Sequence, residues 1–428
     1  MPQEDWIGFF KHHFGPSILW ALLGIGASHI VLAPTMGAMF GVFAVWALAF
    51  IFIVKYGAWS LGIRYNYTVG KDLLEGYKDL PGPGNWALWL SAAAILIAGV
   101  LNTAALGMAG AAFAAAITPV TQLQAFVVMV VAAVLLVVGT NYDMLERFLL
   151  SFVALFVLLM ILGITMGPPP ASVIAETTFA VPALLEPPFL PVFAGAAGLV
   201  PTLIISSLML SSWSLTKNQG AQHESVQDAA APEHEAYISA WLETGLKDFR
   251  IGYLFSFLLM AIMALLAANV LYPTMPEGGI AQALGGIFEE TYGRWAFYVV
   301  LVAAFAALWS TVITALDGSG RVLWRISNEL GYEYPAERTR QIIVAVLGVA
   351  SAIPVLIFGQ TPVVLVVALG TFGIIVEVFV YPSNLYLVYN EVPEKFRPSR
   401  SWLAYYGVAI VIFVGLAILG GLSQAGVL

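Results

Sequence analysis

The sequence has 428 residues, of which 60% are hydrophobic and 10% are charged, and its formal net charge is -8. Soluble domains carry about 25% charged residues, so this composition excludes an ordinary soluble protein and predicts many membrane spans. The sequence contains no cysteine, which excludes disulfides, thiolate metal sites and thiol catalysis.

The N-terminal stretch MPQEDWIGFFKHHFGPS is acidic and lacks a long apolar run, so we expect a lead-in to the first span rather than a cleaved signal peptide. A window of about 20 apolar residues then predicts eleven spans, numbered here in chain order. Their bounds are 17–39, 42–63, 86–113, 121–140, 147–167, 190–213, 251–272, 295–317, 342–359, 362–388 and 402–421. The longest connections are a proline-rich segment, 168–189, and a polar segment, 214–250, which holds His223 and His234.

The basic residues predict the orientation of these spans. With the N-terminus on the cytoplasmic side, nearly every lysine and arginine outside the spans falls in a cytoplasmic segment, and Arg294 is the exception. Such an excess is typical of the cytoplasmic side of membrane proteins. We therefore expect a multi-pass protein of the cell membrane, with its N-terminus inside and its C-terminus outside.

Spans one and six carry helix breakers where a membrane helix should be uninterrupted. Span one contains GIGASH at residues 24–29, and span six contains GAAGLVPT at residues 195–202. Spans one to five and six to ten form two halves of opposite orientation, at about 17–167 and 190–388, and span eleven is additional. Matching breaks in inverted halves indicate the binding site of a secondary transporter. The alternative is close helix packing, which also favours glycine and alanine.

Several motifs agree in order with one family. The segment GPSILWALLGIGASHIVLAPTMGAMFG, residues 15–41, resembles the first span of the Nramp (natural resistance-associated macrophage protein) metal-ion transporters. VGKDLLE after span two, MLERF at the start of span five, STVITALDG in span eight and ERTRQ before span nine also fit. The resemblance implies an all-α, LeuT/APC-type fold of eleven helices in one transmembrane domain, 1–428, which works by alternating access.

The resemblance is weakest where the family's metal chemistry lies. The family's Asp-Pro-Gly-Asn falls on residues 26–29, and its Met-Pro-His falls on residues 200–202. The metal-coordinating aspartate, asparagine and methionine are therefore replaced by Gly26, His29 and Val200. The family's acidic residues of span three fall near Gly99 and Asn102. We expect the substrate to bind at the replaced site, which comprises Gly26, Ala27, Ser28, His29, Val200, Pro201 and Thr202.

This site has no carboxylate, so binding a dehydrated transition metal there should be unfavourable, although His29 is a candidate metal ligand. The first alternative for the substrate is a cation that keeps much of its water, such as Mg²⁺, and the sequence favours it. The second is a small neutral or zwitterionic organic solute, whose carboxylate would bind N–H groups at a half-helix N-terminus. The third is a protein that serves as a sensor or scaffold and transports nothing.

Three ionisable residues within the spans are candidates for function, because such groups are costly in a membrane. His29 lies at the break of span one and Glu377 lies near the middle of span ten, and both are candidate proton carriers. The alternative for His29 is a neutral imidazole that is hydrogen-bonded across the bundle. Lys55 in span two could extend toward the cytoplasmic interface, pair with Glu377, or take the place of a coupling cation.

The remaining motifs indicate no enzyme. The sequence has no phosphate-binding glycine loop and no nucleophile–base set, and we expect no cofactor and no nucleic-acid partner. Asp317 and Arg321 are four residues apart, which favours a helix-surface ion pair. Gly318-Ser319-Gly320 directly after Asp317 predicts a helix end. The expected partners are the bilayer, a small solute or cation, and protons as a coupling ion.

Overall fold

The computed structural model describes residues 2, 6–13, 21, 24–139, 143–215, 219–222, 232–273 and 279–427, and these are mostly helical. Nine helical segments among them are long and apolar enough to cross a membrane. Two shorter apolar helices, Ser28–Phe40 and Val153–Thr165, coincide with predicted spans one and five. The predicted all-helical fold is confirmed, and the number of eleven spans stays a prediction.

The helices follow the predicted spans in order. The helices of the spans are Ala33–Phe40, Phe43–Val69, Trp86–Ile117, Gln122–Gly139, Asp143–Met166, Phe189–Leu199 with Ser207–Leu215, Pro232–Val270, Arg294–Glu329, Ala336–Ala350 with Ala352–Phe358, Pro362–Glu391 and Arg400–Gln424. Short helices occupy Trp6–His12, Leu73–Lys78, Ala171–Thr177 and Gly279–Tyr292. Many apolar side chains on the outer helices are exposed, as in Val411 of span eleven, which suits contact with lipid.

The two halves of the chain interlock at the centre of the bundle. Span three packs along span eight, and it also contacts span ten, while span eight contacts span five. The contact of three with ten and that of eight with five are equivalent when the halves are related by an inverted repeat. This arrangement places spans one and six in the interior, where interrupted backbone is tolerated because protein rather than lipid surrounds it.

Glycines bring spans six and ten into backbone contact. A Cβ atom on Gly198 would lie 1.8 Å from the Gly370 carbonyl oxygen, and one on Gly370 would lie 2.0 Å from the Gly195 oxygen. No side chain fits at these positions, so the two backbones approach as closely as small residues allow. Glu377 is two helical turns beyond Gly370, which places it beside the end of the helix Phe189–Leu199.

Two predictions about polar segments are wrong. The polar connection 214–250 is helical from Pro232 onward, because Ile238, Trp241 and Leu242 recur at helical spacing and are buried, a pattern that an apolar window overlooks. The predicted helix end at Gly318-Ser319-Gly320 lies inside the helix Arg294–Glu329. Its glycine at position 320 instead lets this helix approach Arg340, since an added Cβ would lie 3.0 Å from Arg340 Cγ. His223 lies outside the described residues.

Candidate functional site

Both predicted breaks are present in the backbone. In span one, residues 24–26 are non-helical and a π-helical turn, Ser28–Leu32, precedes the helix Ala33–Phe40. In span six, the helix Phe189–Leu199 ends at an extended Val200, and a 3₁₀ turn, Ile204–Ser206, leads into the second half. The break of span one is thus centred slightly before His29, which lies in the π-helical turn.

Hydrogen bonds join the two breaks to each other and to span seven. Ser28 Oγ donates to the carbonyl of Pro201 at 3.0 Å. His29 Nδ1 lies 3.0 Å from Ser28 Oγ, and His29 Nε2 lies 3.1 Å from Ser256 Oγ. These three side chains are buried. The resulting chain of hydrogen bonds runs from span six through span one to span seven.

This chain of hydrogen bonds assigns the tautomer of a neutral imidazole at His29. The single hydroxyl proton of Ser28 is given to Pro201, so Ser28 Oγ accepts from His29 Nδ1–H. A neutral His29 then accepts at Nε2 from the hydroxyl of Ser256. Protonation of His29 would require Ser256 to reverse its role and accept.

The other predicted site residues form the walls of the two breaks. Ala27 and Val200 are buried, Pro201 lies in the break of span six, and Thr202 follows it and is half-buried. Gly26 is closely packed, because a Cβ there would lie 3.1 Å from Leu106 Cδ2 and 3.2 Å from Thr311 Cγ2. A side chain at this position would require the ends of both neighbouring side chains to shift by a few tenths of an ångström.

The described residues contain no group of three or more His, Cys, Asp or Glu side chains that could hold a metal ion. The groups joined at the breaks are hydroxyls, an imidazole and a carbonyl, all uncharged in this state. Such a donor set can orient a polar solute, but it offers no charge to offset that of a dehydrated divalent cation.

The buried charges of spans two and ten meet beside the break of span six. Lys55 Nζ lies 3.2 Å from Glu377 Oε2, and both side chains are inaccessible to solvent. The ammonium also donates to the carbonyls of Ala197 at 3.1 Å and Gly198 at 2.9 Å. Of the alternatives that the sequence left for Lys55, extension to the interface is wrong. The ammonium group is buried inside the bundle, where it contacts Glu377 and the carbonyls of span six.

A second set of charges lies toward the predicted cytoplasmic side. Arg325 forms ion pairs with the buried Asp72 and with Glu75, the latter at 2.9 Å. Burial, reinforced by the neighbouring Asp72, raises the pKa of the Glu75 carboxyl, and Arg325 opposes this shift. The Asp317–Arg321 pair is present at 2.7 Å. The two Arg325 ion pairs join the end of span eight to the connection between spans two and three, whereas the Asp317–Arg321 pair lies within the helix of span eight.

Sequence reasoning missed Ser256, which is the partner of His29 in span seven. The available signal was a serine inside the apolar run LFSFLLMAIM. It also missed the carbonyl partners of Lys55, since backbone groups leave no trace in the residue pattern.

A bundle with two interrupted spans and a buried polar site between them defines a membrane transporter of the LeuT-type fold. The family model for natural resistance-associated macrophage protein-like (Nramp) sequences matches residues 17–423. The chain therefore belongs to the Nramp family, as its motifs predict. It is also 27% identical to an uncharacterised protein of Pasteurella multocida (strain Pm70). The matched 328 residues span 72% of this chain and 68% of that protein.

Solved structures agree on the fold. A variant of the Eremococcus coleocola manganese transporter matches with a TM-score of 0.75 and 13% identity, over 99% of this chain and 88% of that one. The same transporter in complex with an aromatic bis-isothiourea substituted compound matches with a TM-score of 0.73 and 13% identity, over 98% of this chain and 87% of that one. MhsT in complex with L-phenylalanine matches with a TM-score of 0.54 and 13% identity, over 94% of this chain and 98% of that one. The predicted inverted-repeat fold is confirmed.

Proposed function

We propose that this protein is a secondary transporter that moves a small neutral or zwitterionic solute by alternating access about the two helix breaks. The observation that carries the proposal is the uncharged character of the groups that meet there. The hydroxyls of Ser28 and Ser256 and the imidazole of His29 supply hydrogen bonds without a net charge. A neutral solute, or a zwitterion whose positive and negative groups balance each other, needs no charged side chain from the protein to offset a net charge.

The start of the second half of span one supports a zwitterion in particular. Helix N-termini carry unpaired N–H groups and a positive partial charge, which favour a carboxylate. The helical turn that begins at Ser28 lies beside the break of span six, to which Ser28 is hydrogen-bonded. A carboxylate bound at residues 26–28 would leave the ammonium group of the solute facing hydroxyl and carbonyl oxygens.

Hydrated Mg²⁺ is the second candidate, although the sequence placed it first. Membership of the Nramp family supports a metal ion, and the site offers hydroxyl and carbonyl oxygens, which Mg²⁺ accepts directly or through its own waters. Magnesium sites also use one or two carboxylates, however, and Glu377 is already in contact with Lys55. The geometry therefore favours the organic solute.

A thermal-stability screen of the purified protein against amino acids, neutral polar solutes and MgCl₂ tests the proposal, because ligands stabilise the state they bind. Solutes that stabilise the protein are then tested for counterflow in proteoliposomes. We expect counterflow of an organic solute, reduced by Ser256→Ala and unchanged by Ser401→Ala, an exposed serine of span eleven. Stabilisation and uptake with Mg²⁺ alone would favour the second candidate, and no uptake of any solute would favour a sensor or scaffold.

A further inference from the structure

We infer that the oxygen atoms around Lys55 form a monovalent-cation site, which the chain fills with its own ammonium group. The first half of span six ends at Leu199, inside the bundle. The last carbonyls of a helix have no partner within it and carry a negative partial charge. A cation is therefore favoured at this point of the fold.

Three oxygen atoms from two spans converge on the ammonium nitrogen. The carbonyl oxygens of Ala197 and Gly198 lie at 3.1 and 2.9 Å, and Glu377 Oε2 lies at 3.2 Å. Apart from its contact with Lys55, the Glu377 carboxylate has no hydrogen-bond partner among the described residues. Two carbonyls and one carboxylate are the kind of oxygen set that binds hard cations.

The glycine contact between spans six and ten builds this site from the backbone. Because Gly198 lies against Gly370, the end of the span six helix is held beside the turn of span ten that carries Glu377. Lys55 enters from span two and is not needed to bring the oxygens together. Removal of its ammonium should therefore leave the oxygens in place around a vacancy.

The cation site has a consequence for coupling, and this part rests on the proposed function. In secondary transporters with broken helices, unwound carbonyls and half-helix C-termini coordinate the coupling cation. Here a covalently attached ammonium already occupies such a position. Transport by the unaltered protein should therefore be independent of Na⁺ and K⁺, whereas a variant that lacks the ammonium should depend on one of them.

An ordinary buried ion pair makes a different prediction. Removal of one partner from a buried pair strongly destabilises a protein, and no dissolved ion would be expected to restore it. The two hypotheses are separated by the melting temperature of Lys55→Ala in NaCl, KCl, LiCl and N-methylglucamine chloride at equal ionic strength. Lys55→Ser leaves a similar vacancy with one further oxygen, and it serves if Lys55→Ala is not recovered.

We expect an alkali cation to raise the melting temperature of Lys55→Ala by about 2 °C or more over N-methylglucamine, and to leave the parent protein within about 1 °C. The response should disappear in Lys55→Ala/Glu377→Gln, and Lys71→Ala, which removes an exposed pair with Asp79, should behave like the parent protein. Equal melting temperatures of Lys55→Ala in all four salts would overturn the inference. It would also be overturned if neither Lys55→Ala nor Lys55→Ser could be recovered in any of the salts. These readings need no transport, so they stand apart from the test of the proposed function.

Discussion

Ser28 donates a hydrogen bond to the carbonyl of Pro201, so a single contact of 3.0 Å joins the break of span one to the break of span six. The two residues are 173 positions apart in the chain. The same hydroxyl accepts from His29, which makes it the branch point of the polar network.

Ser28→Ala should destabilise the protein by about 1–3 kcal/mol, because it leaves a buried carbonyl and the imidazole N–H without their partner. Chemical denaturation of the purified protein measures this loss. Ser351→Ala is the matched control, since Ser351 is also buried but donates to the Gly348 carbonyl of the helix that it caps, three residues earlier in the chain. Equal losses in the two variants would show that the bond between the breaks contributes nothing special.

Manganese should not bind with micromolar affinity, because the described residues offer no acidic cluster and glycine replaces the family's aspartate at position 26. Isothermal titration calorimetry with MnCl₂ checks this expectation, and His29→Ala serves as the control. Micromolar binding that disappears in His29→Ala would contradict it and would identify His29 as a metal ligand.

Gly198→Ala should abolish folding or cost well above the roughly 1–3 kcal/mol of ordinary overpacking, because the added Cβ would meet backbone at 1.8 Å. Backbone cannot move aside as the end of a flexible side chain can. Gly407→Ala is the control, since a Cβ there meets nothing within 4 Å. Size-exclusion profiles and melting temperatures of the two variants provide the comparison, and a monodisperse, stable Gly198→Ala protein would contradict the packing of spans six and ten.

The pKa of Glu75 gives a prediction for the effect of pH on stability. The ordinary pKa of this carboxyl is 4.5, and burial raises it in the folded state. The contribution of the carboxyl to stability is therefore fully present below pH 4.5. The contribution is lost as the pH rises through the raised pKa. The melting temperature of the parent protein should therefore fall over this range by a component that Glu75→Gln lacks. Glu333→Gln, at an exposed position, should retain the parent profile.

The sequence predicts the backbone of the site better than its contacts. Glycine and proline interrupt a helix by local geometry, so the breaks near Gly26 and Pro201 could be read from residue types alone. The hydrogen bond of Lys55 to Gly198 could not, because it depends on how closely spans six and ten approach. That approach is fixed by glycines far apart in the chain, and a single sequence does not reveal which of them meet.

The same limit applies to helix length. Apolar windows find only the part of a helix that crosses the membrane, so they ended span eight near Asp317, while the helix continues to Glu329. The continuation is held by ion pairs such as that of Arg325 with Glu75. Residues at such ends are polar on one face, and their helical character depends on partners from other segments.

The last prediction concerns which buried group carries protons. The sequence offers His29 and Glu377, and the ion pair with Lys55 now favours His29, because Glu377 already has a fixed cation beside it. His29 can accept a proton at Nε2 if Ser256 reverses its hydrogen bond. If transport depends on pH, His29→Gln should therefore flatten the pH profile, while Glu377→Gln should keep its shape but lower stability by leaving a buried ammonium uncompensated. Uptake into proteoliposomes at several pH values, together with melting temperatures, measures both effects. A profile that persists in His29→Gln and is lost in a folded Glu377→Gln protein would assign the proton to Glu377 instead.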